Sequence, residues 1–152
     1  MSGLLKGRAA VITGANQGLG EAIAHAYVNA GANLLLCARD EKKLLKVQDQ
    51  LRSLCKAGQK VEVMRADISR QDDVNRVASL ALDAFPQIHI LVNNAGVYGP
   101  KGRIEDVDWE EWARAVEINL LGSILMTKTF LPYFRKNKYG KVIQLSGGGA
   151  TS

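Results

Sequence analysis

The chain has 152 residues, of which 47% are hydrophobic and 23% charged, and its formal net charge is +5. This length and composition suit one globular domain, which we expect over residues 1–152. The basic residues are scattered and follow no nucleic-acid-binding motif. No apolar run reaches the length of a membrane span, and Cys37 and Cys55 form no metal-binding spacing with a histidine. We therefore expect a cytoplasmic protein with no nucleic-acid, membrane or metal partner.

Short apolar runs alternate with helical patterns along the chain. The runs predict five strands, over 8–13, 33–38, 61–66, 88–92 and 141–146. Apolar spacing predicts three helices between them, over 18–30, from Asp40 to Gly58, and from Ser69 to Pro86. A fourth helix of about 28 residues is expected to begin at Asp108. Its predicted core-facing residues are Trp112, Val116, Leu120, Ile124 and Met126 or Thr127.

This β-α-β-α-β-α-β-α-β order predicts an α/β fold. Right-handed crossovers would arrange the five strands as a doubly wound parallel sheet. Ligands of such sheets bind at the carboxyl ends of the strands, so we expect the functional residues in the segments that directly follow each strand.

A glycine-rich turn follows the first predicted strand. Gly14, Gly18 and Gly20 give the spacing G-x-x-x-G-x-G, at the point where a helix is predicted to begin. Glycines let the backbone turn tightly and approach a phosphate closely, and a helix N-terminus attracts anions. The turn therefore predicts a dinucleotide pyrophosphate site, although glycine-rich segments also occur as plain turns.

Four elements together resemble the classical short-chain dehydrogenase/reductase family. They are Thr13-Gly14-x-x-x-Gly18-x-Gly20, Asp67-Ile68 after the third strand, Asn93-Asn94-Ala95-Gly96 after the fourth, and Asn119 in the long helix. The resemblance covers essentially the whole chain. It implies a Rossmann-like dinucleotide-binding domain and an NAD(P)(H)-dependent oxidoreductase that transfers a hydride between nicotinamide and a carbonyl or secondary alcohol.

The resemblance also implies a set of cofactor-binding residues. The pyrophosphate turn would contribute Gly14, Asn16, Gln17, Gly18, Leu19 and Gly20. Arg39 would contact the adenosine ribose region, Asp67 and Ile68 the adenine, and Asn94, Ala95 and Gly96 the adenine-side ribose. Asp67 is also suited to a simple helix-start role, and the two roles are compatible.

The end of the second strand bears on the choice between NADP(H) and NAD(H). Ala38 occupies the place where NAD-preferring members carry aspartate, and Arg39 can donate two hydrogen bonds to a 2′-phosphate. We therefore favour NADP(H), with NAD(H) possible because Gln17 is neutral where a second basic residue is often found. The alternative for Arg39 is a solvated loop arginine.

Two candidate catalytic residues follow from the resemblance. Asn119 would mark a distortion of the long helix and hold a water in a proton relay. Ser146 stands one place before the usual catalytic serine, where this chain has Gly147. The alternatives are that the serine role is lost or altered, or that Thr151 supplies the hydroxyl. No Tyr-x-x-x-Lys element follows the fifth strand. We therefore expect a domain incomplete at its C-terminus, which binds cofactor weakly and by itself catalyses nothing.

Two other functions and one partner remain to be weighed. A non-catalytic nucleotide-binding module, acting as a sensor or in assembly, is the main alternative. A sugar-nucleotide epimerase or dehydratase is disfavoured by the Asn-Asn-Ala-Gly element.

The long helix resembles the one that forms the family's dimer interface, so we expect a homodimer or homotetramer. Trp109 and Phe134 suit either that interface or the core.

Overall fold

The computed structural model describes residues 3–146, and its strands form one parallel sheet. The strands are β1 (Ala9–Thr13), β2 (Asn33–Ala38), β3 (Val61–Arg65), β4 (Ile90–Asn93) and β5 (Lys141–Gln144). Their spatial order is β3-β2-β1-β4-β5. The helices are α1 (Gly18–Asn29), α2 (Glu41–Leu54), α3 (Gln71–Ala84), α4 (Trp109–Val116), a π-helical segment (Glu117–Gly122) and α5 (Ser123–Lys136).

Helices cover both faces of the sheet because alternate strand residues point to opposite sides. Val11 of β1 belongs to the core cluster that contains residues of α3 and α5. Its neighbour Ile12 belongs to the second cluster, with residues of α1 and α2. Central strands that are buried on both faces read as continuous apolar runs. The predicted doubly wound α/β fold is confirmed.

Two predicted helix starts are confirmed by their caps. Asp40 accepts a hydrogen bond from the Lys43 N–H at 3.1 Å, and Asp108 accepts one from the Glu111 N–H at 2.8 Å. The predicted start of α3 at Ser69 is wrong, because the helix begins at Gln71. Ser69 instead donates hydrogen bonds from its N–H and its hydroxyl to the Asp67 carboxylate. These bonds hold Ser69 in a turn that precedes the helix.

The long helix is continuous, and of its predicted core-facing residues Met126 is buried, Val116 is half-buried and three others are exposed. Its segments of 8, 6 and 14 residues follow one another without a break. Trp112, Leu120 and Ile124 are 39%, 53% and 51% exposed. The buried residues are Ile118, Gly122, Ser123, Met126, Phe130 and Phe134. Apolar residues lie on two faces of this helix, and the wide π-helical segment changes the register between them. Periodicity alone therefore placed Met126 correctly but assigned Trp112, Leu120 and Ile124 to the core.

One edge of the sheet, at β5, carries exposed apolar side chains. All four residues of β5 are exposed, and β5 pairs with β4. Val142 and Ile143 are 38% and 36% exposed. With the adjacent face of α5, β5 lines a groove of about 460 Å³.

His89 makes the stability of the fold depend on pH. The imidazole is buried, and its Nδ1 accepts a hydrogen bond from the Ala9 N–H at 3.1 Å. It also lies edge-on to Tyr139, with ring centroids 5.7 Å apart, and the Arg8 guanidinium lies over that ring. Burial, and then the positive charge of Arg8, lower the pKa of His89. The folded state therefore favours the neutral imidazole.

We expect the free energy of unfolding to fall as the pH drops below the ordinary histidine pKa of about 6.5, because the unfolded state then binds the proton more readily. Urea denaturation at a series of pH values measures this loss. His89→Asn retains an acceptor for the Ala9 N–H and should remove this component, whereas His25→Asn should retain it. Equal pH dependence of wild type and His89→Asn would contradict the assignment.

Candidate cofactor-binding site

The carboxyl ends of β1 to β4 open onto a cavity of about 450 Å³. Ten of the twelve predicted cofactor-binding residues line it: Gly14, Asn16, Gln17, Gly18, Arg39, Asp67, Ile68, Asn94, Ala95 and Gly96. Leu19 and Gly20 do not, since they lie at the start of α1, where Leu19 is 61% exposed and Gly20 is buried. The residues that the sequence analysis took from four separate segments thus share one cavity.

The turn after β1 requires glycine at two positions for different reasons. Gly14 has a φ of +65°, and a Cβ there would lie 2.7 Å from the Cα of Ala95. Gly18 has a φ of +60°, but a Cβ added there would have no atom of the described residues within 4 Å. No described side chain caps the N-terminus of α1. Its first N–H groups are therefore available to an anion in the cavity.

Thr13 joins the ends of β1 and β4, a role that the sequence analysis did not assign. Its hydroxyl accepts hydrogen bonds from the N–H groups of Asn94 and Ala95, at 3.0 and 2.9 Å. The Asn94 side chain donates in return to the carbonyls of Thr13 and Gly14, at 2.9 and 3.1 Å. A Cβ on Gly20 would collide with that same amide group. These hydrogen bonds therefore fix the turn after β1 and the segment after β4 relative to each other.

Two basic side chains line the cavity beside the end of β2. Arg39 is exposed and makes no hydrogen bond or ion pair with any residue in the range 3–146. Lys43 donates from Nζ to the Gln17 side chain at 2.8 Å and lies 3.9 Å from the Asp40 carboxylate. Sequence analysis missed Lys43. No local signal distinguished it, because the nearby Asp40 carboxylate already compensates a lysine in the first turn of α2.

Asp67 forms the wall of the cavity after β3. Its carboxylate accepts hydrogen bonds from the N–H and hydroxyl of Ser69, at 3.0 and 2.6 Å, and pairs with Arg114. Burial favours a higher pKa for this carboxyl, but the Ser69 hydrogen bonds and the Arg114 guanidinium outweigh it and hold the pKa below its usual value. Arg114 was missed because it lies 47 residues away in the sequence.

Asn119 lies within the π-helical segment, as the expected helix distortion required. Its side chain accepts a hydrogen bond from the Val97 N–H and donates one to the Val97 carbonyl, both at 2.8 Å. These two bonds fix the backbone directly after Gly96. Within residues 3–146, this clamp is the observed contact of Asn119, and its proton-relay role stays a prediction.

Ser146 follows β5 at the same end of the sheet. The Leu145 N–H donates to the Asn93 carbonyl at 3.1 Å, which keeps this segment beside the end of β4. Ser146 is exposed and does not line the cavity. Its catalytic role stays a prediction, and Gly147 and Thr151 lie outside the described residues.

Comparison with known proteins identifies the family. The family described as short chain dehydrogenase matches residues 8–151. The chain belongs to the short-chain dehydrogenase family. Among its relatives, 11-beta-hydroxysteroid dehydrogenase A of Sesamum indicum is 35% identical over 95% of the chain and 40% of the relative. L-fucose dehydrogenase of Oryctolagus cuniculus is 31% identical over 92% of the chain and 46% of the relative. This short-chain dehydrogenase chain thus spans about half the length of these curated relatives.

Solved structures of other short-chain dehydrogenases superpose closely. A metagenomic short-chain oxidoreductase in complex with NADP has a TM-score of 0.88 and 33% identity, covering 97% of this chain and 66% of its own. A short chain dehydrogenase/reductase from Burkholderia phymatum in complex with NAD has a TM-score of 0.84 and 34% identity, covering 91% of this chain and 48% of its own. Members with this fold therefore bind either dinucleotide.

Three further features bear on the expected partners of this short-chain dehydrogenase. Among the helices within residues 3–146, none has both the length and the apolar character needed to cross a bilayer. Over the same range, no three His, Cys, Asp or Glu side chains lie together as metal ligands would.

A second cavity, of about 700 Å³, adjoins the first at Arg39 and Asp67 and is lined by Arg65, Arg70 and Arg76.

Proposed function

We propose that the protein is an NADP(H)-dependent oxidoreductase acting on a carbonyl or a secondary alcohol. The observation that carries this proposal is the pair Arg39 and Lys43, which line one cavity with the glycine turn. Bound NADPH would supply the hydride to a carbonyl, and bound NADP⁺ would accept one from a secondary alcohol. The protein's part is to hold the dinucleotide and to orient the substrate. The name of the NADP-bound neighbour and those of the dehydrogenase relatives support the proposal.

The cavity suits each part of the dinucleotide. The uncapped N-terminus of α1, with Gly18 open toward the cavity, would take the pyrophosphate. Arg39 and Lys43 would take the 2′-phosphate, where their charges are complementary to two negative charges. Asp67 would accept from the adenine amino group, and the backbone of Asn94 to Gly96 would lie against the ribose.

Asn119 and Ser146 are the proposed contributors to catalysis. Asn119 would hold a relay water, and Ser146 would orient the substrate oxygen. None of the four tyrosines of the chain has a lysine four residues on. We therefore expect these 152 residues by themselves to bind NADPH without turning over a carbonyl substrate. Turnover by the purified chain would contradict that expectation.

Arg39 and Lys43 are expected to set the preference between NADPH and NADH. A hydrogen bond to a charged group contributes about 1.5–3 kcal/mol, or roughly 10- to 150-fold in affinity, and solvent screening of these exposed side chains reduces this to about tenfold. Calorimetric titration should show wild type binding NADPH about tenfold more tightly than NADH. Arg39→Asp should abolish or reverse this preference, and Lys43→Ala should weaken it.

Lys42→Ala is the matched control, because Lys42 neighbours Lys43 but does not line the cavity. It should leave the preference unchanged. The proposal of an NADP(H) enzyme fails if Arg39→Asp retains the full wild-type preference for NADPH.

The dehydrogenase proposal is favoured over a non-catalytic module because the chain belongs to a family of dehydrogenases. We also propose that the protein is a cytoplasmic homodimer or homotetramer.

Exposed apolar side chains on the long helix support a second copy of the chain as partner, since Trp109 is 70% exposed and Leu121 is 52% exposed. Phe134, the other candidate anchor, is buried in the core. Sedimentation of a monomer at micromolar concentration would contradict the oligomer.

A further inference from the structure

Arg114 of α4 reaches the wall of the cavity that Asp67 forms. Its Nη1 donates to the Ser69 hydroxyl at 2.8 Å and to the Glu117 carboxylate at 3.0 Å, and its Nη2 pairs with Oδ2 of Asp67. The Ser69 hydroxyl in turn donates to Oδ1 of Asp67 at 2.6 Å. Arg114, Ser69 and Asp67 therefore close a ring of hydrogen bonds that fixes the plane of the carboxylate.

This ring leaves Asp67 with a single open acceptor position. A carboxylate can accept about four hydrogen bonds, two on each oxygen. Oδ1 already accepts from the N–H and the hydroxyl of Ser69, and Oδ2 accepts from Arg114. The position that remains is on Oδ2, the oxygen that Arg114 holds. Because Asp67 lines the cavity and its side chain is 18% exposed, a donor on a ligand can reach it.

Building on the proposed function, we propose that Arg114 is a positioning residue for adenine recognition. It holds Oδ2 of Asp67 where this oxygen accepts a hydrogen bond from the 6-amino group of the adenine, and it acts through Asp67 without touching the cofactor. The planar guanidinium donates to Asp67 and Ser69 from separate nitrogens, an arrangement that a lysine ammonium cannot reproduce.

The base itself provides a specific test of this role. Hypoxanthine carries an oxygen in place of the 6-amino group, so it would present an acceptor to an acceptor. A site that is built to accept from a donor rejects an analogue that lacks the donor. The ratio of the affinities for NADPH and for its hypoxanthine analogue therefore reports the position of Oδ2. A general loss of stability would lower both affinities and leave this ratio unchanged.

Calorimetric titration of wild type, Arg114→Ala and Arg114→Lys with both dinucleotides would measure the ratio. We expect wild type to bind NADPH about tenfold or more tightly than the analogue. Arg114→Ala should reduce the ratio toward one, and Arg114→Lys should give an intermediate value. Arg52→Ala is the matched control, since Arg52 also pairs with an acid, Glu62, at 3.8 Å, but lies outside the cavity. It should retain the wild-type ratio.

The possible outcomes separate the two proposals. If Arg114→Ala retains the wild-type ratio, the positioning role is wrong while the proposed function stands. The same conclusion follows if wild type binds both dinucleotides equally. If wild type binds neither, the proposed function is wrong and the positioning role falls with it. Should Arg114→Ala fail to give a folded circular dichroism spectrum, the same comparison is made with Arg114→Lys.

Discussion

Gly14→Ala is expected to lower the free energy of unfolding by about 2–5 kcal/mol and to abolish NADPH binding. An alanine at a φ of +65° carries a left-handed strain of about 1–2 kcal/mol. Its Cβ would also lie 2.7 Å from the Cα of Ala95, and such a backbone clash adds about 1–3 kcal/mol. Because Ala95 lines the cavity in which we propose that NADPH binds, the shift that relieves the clash also deforms that cavity. Urea denaturation and calorimetry measure the two effects.

Two other glycines separate strain from clash and from ligand contact. Gly58 has a φ of +85°, and no described atom lies within 4 Å of an added Cβ. Gly58→Ala should therefore cost only the strain and leave NADPH binding intact. A Cβ at Gly18 also has no described atom within 4 Å, but Gly18 lines the cavity. Gly18→Ala should therefore lower the free energy of unfolding about as much as Gly58→Ala and should also weaken NADPH binding. If Gly14→Ala is no more destabilising than Gly58→Ala, the close approach to Ala95 is wrong.

Thr13→Val is expected to destabilise the fold by about 2–6 kcal/mol, although valine has nearly the same shape. The substitution leaves the N–H groups of Asn94 and Ala95 without their acceptor, and each such loss costs about 1–3 kcal/mol. These two N–H groups begin the segment from Asn94 to Gly96 that lines the cavity. NADPH affinity should therefore fall together with stability.

Thr13→Ser keeps the hydroxyl and should lose much less stability than Thr13→Val. Thr129→Val is the matched control for the change from threonine to valine. The Thr129 hydroxyl donates only to the Leu125 carbonyl of its own helix, at 2.9 Å, so its loss should cost about 1 kcal/mol or less. Equal stability of Thr13→Ser and Thr13→Val would show that the hydroxyl does not hold the two strands together.

The features that sequence predicted well are local ones. The glycine turn, the apolar strands and the aspartate caps each depend on residues close together in the chain, and their physical causes are short-range. Parallel strands bring their carboxyl ends to one edge of the sheet, so the segments after β1 to β4 could be placed together before any contact was known. For this reason ten of the residues predicted to bind the cofactor line one cavity.

The features that sequence missed depend on contacts between distant segments. Thr13 bonds to residues about 80 positions away, and Arg114 reaches Asp67 across 47. Neither partner can be chosen from local pattern. The face of the long helix was misjudged for another reason: the π-helical segment alters the register, and apolar residues lie on both of its sides.

The most direct test of the central claim is a ¹⁵N-¹H correlation spectrum of the 152-residue chain, titrated with NADPH. Binding in the cavity should shift the amide signals of Gly14 to Gly18, Arg39, Asp67 and Asn94 to Gly96. Saturation should be reached at a lower concentration of NADPH than of NADH. The account would be contradicted if no signal moved, or if the shifts were confined to the second cavity, at Arg65, Arg70 and Arg76.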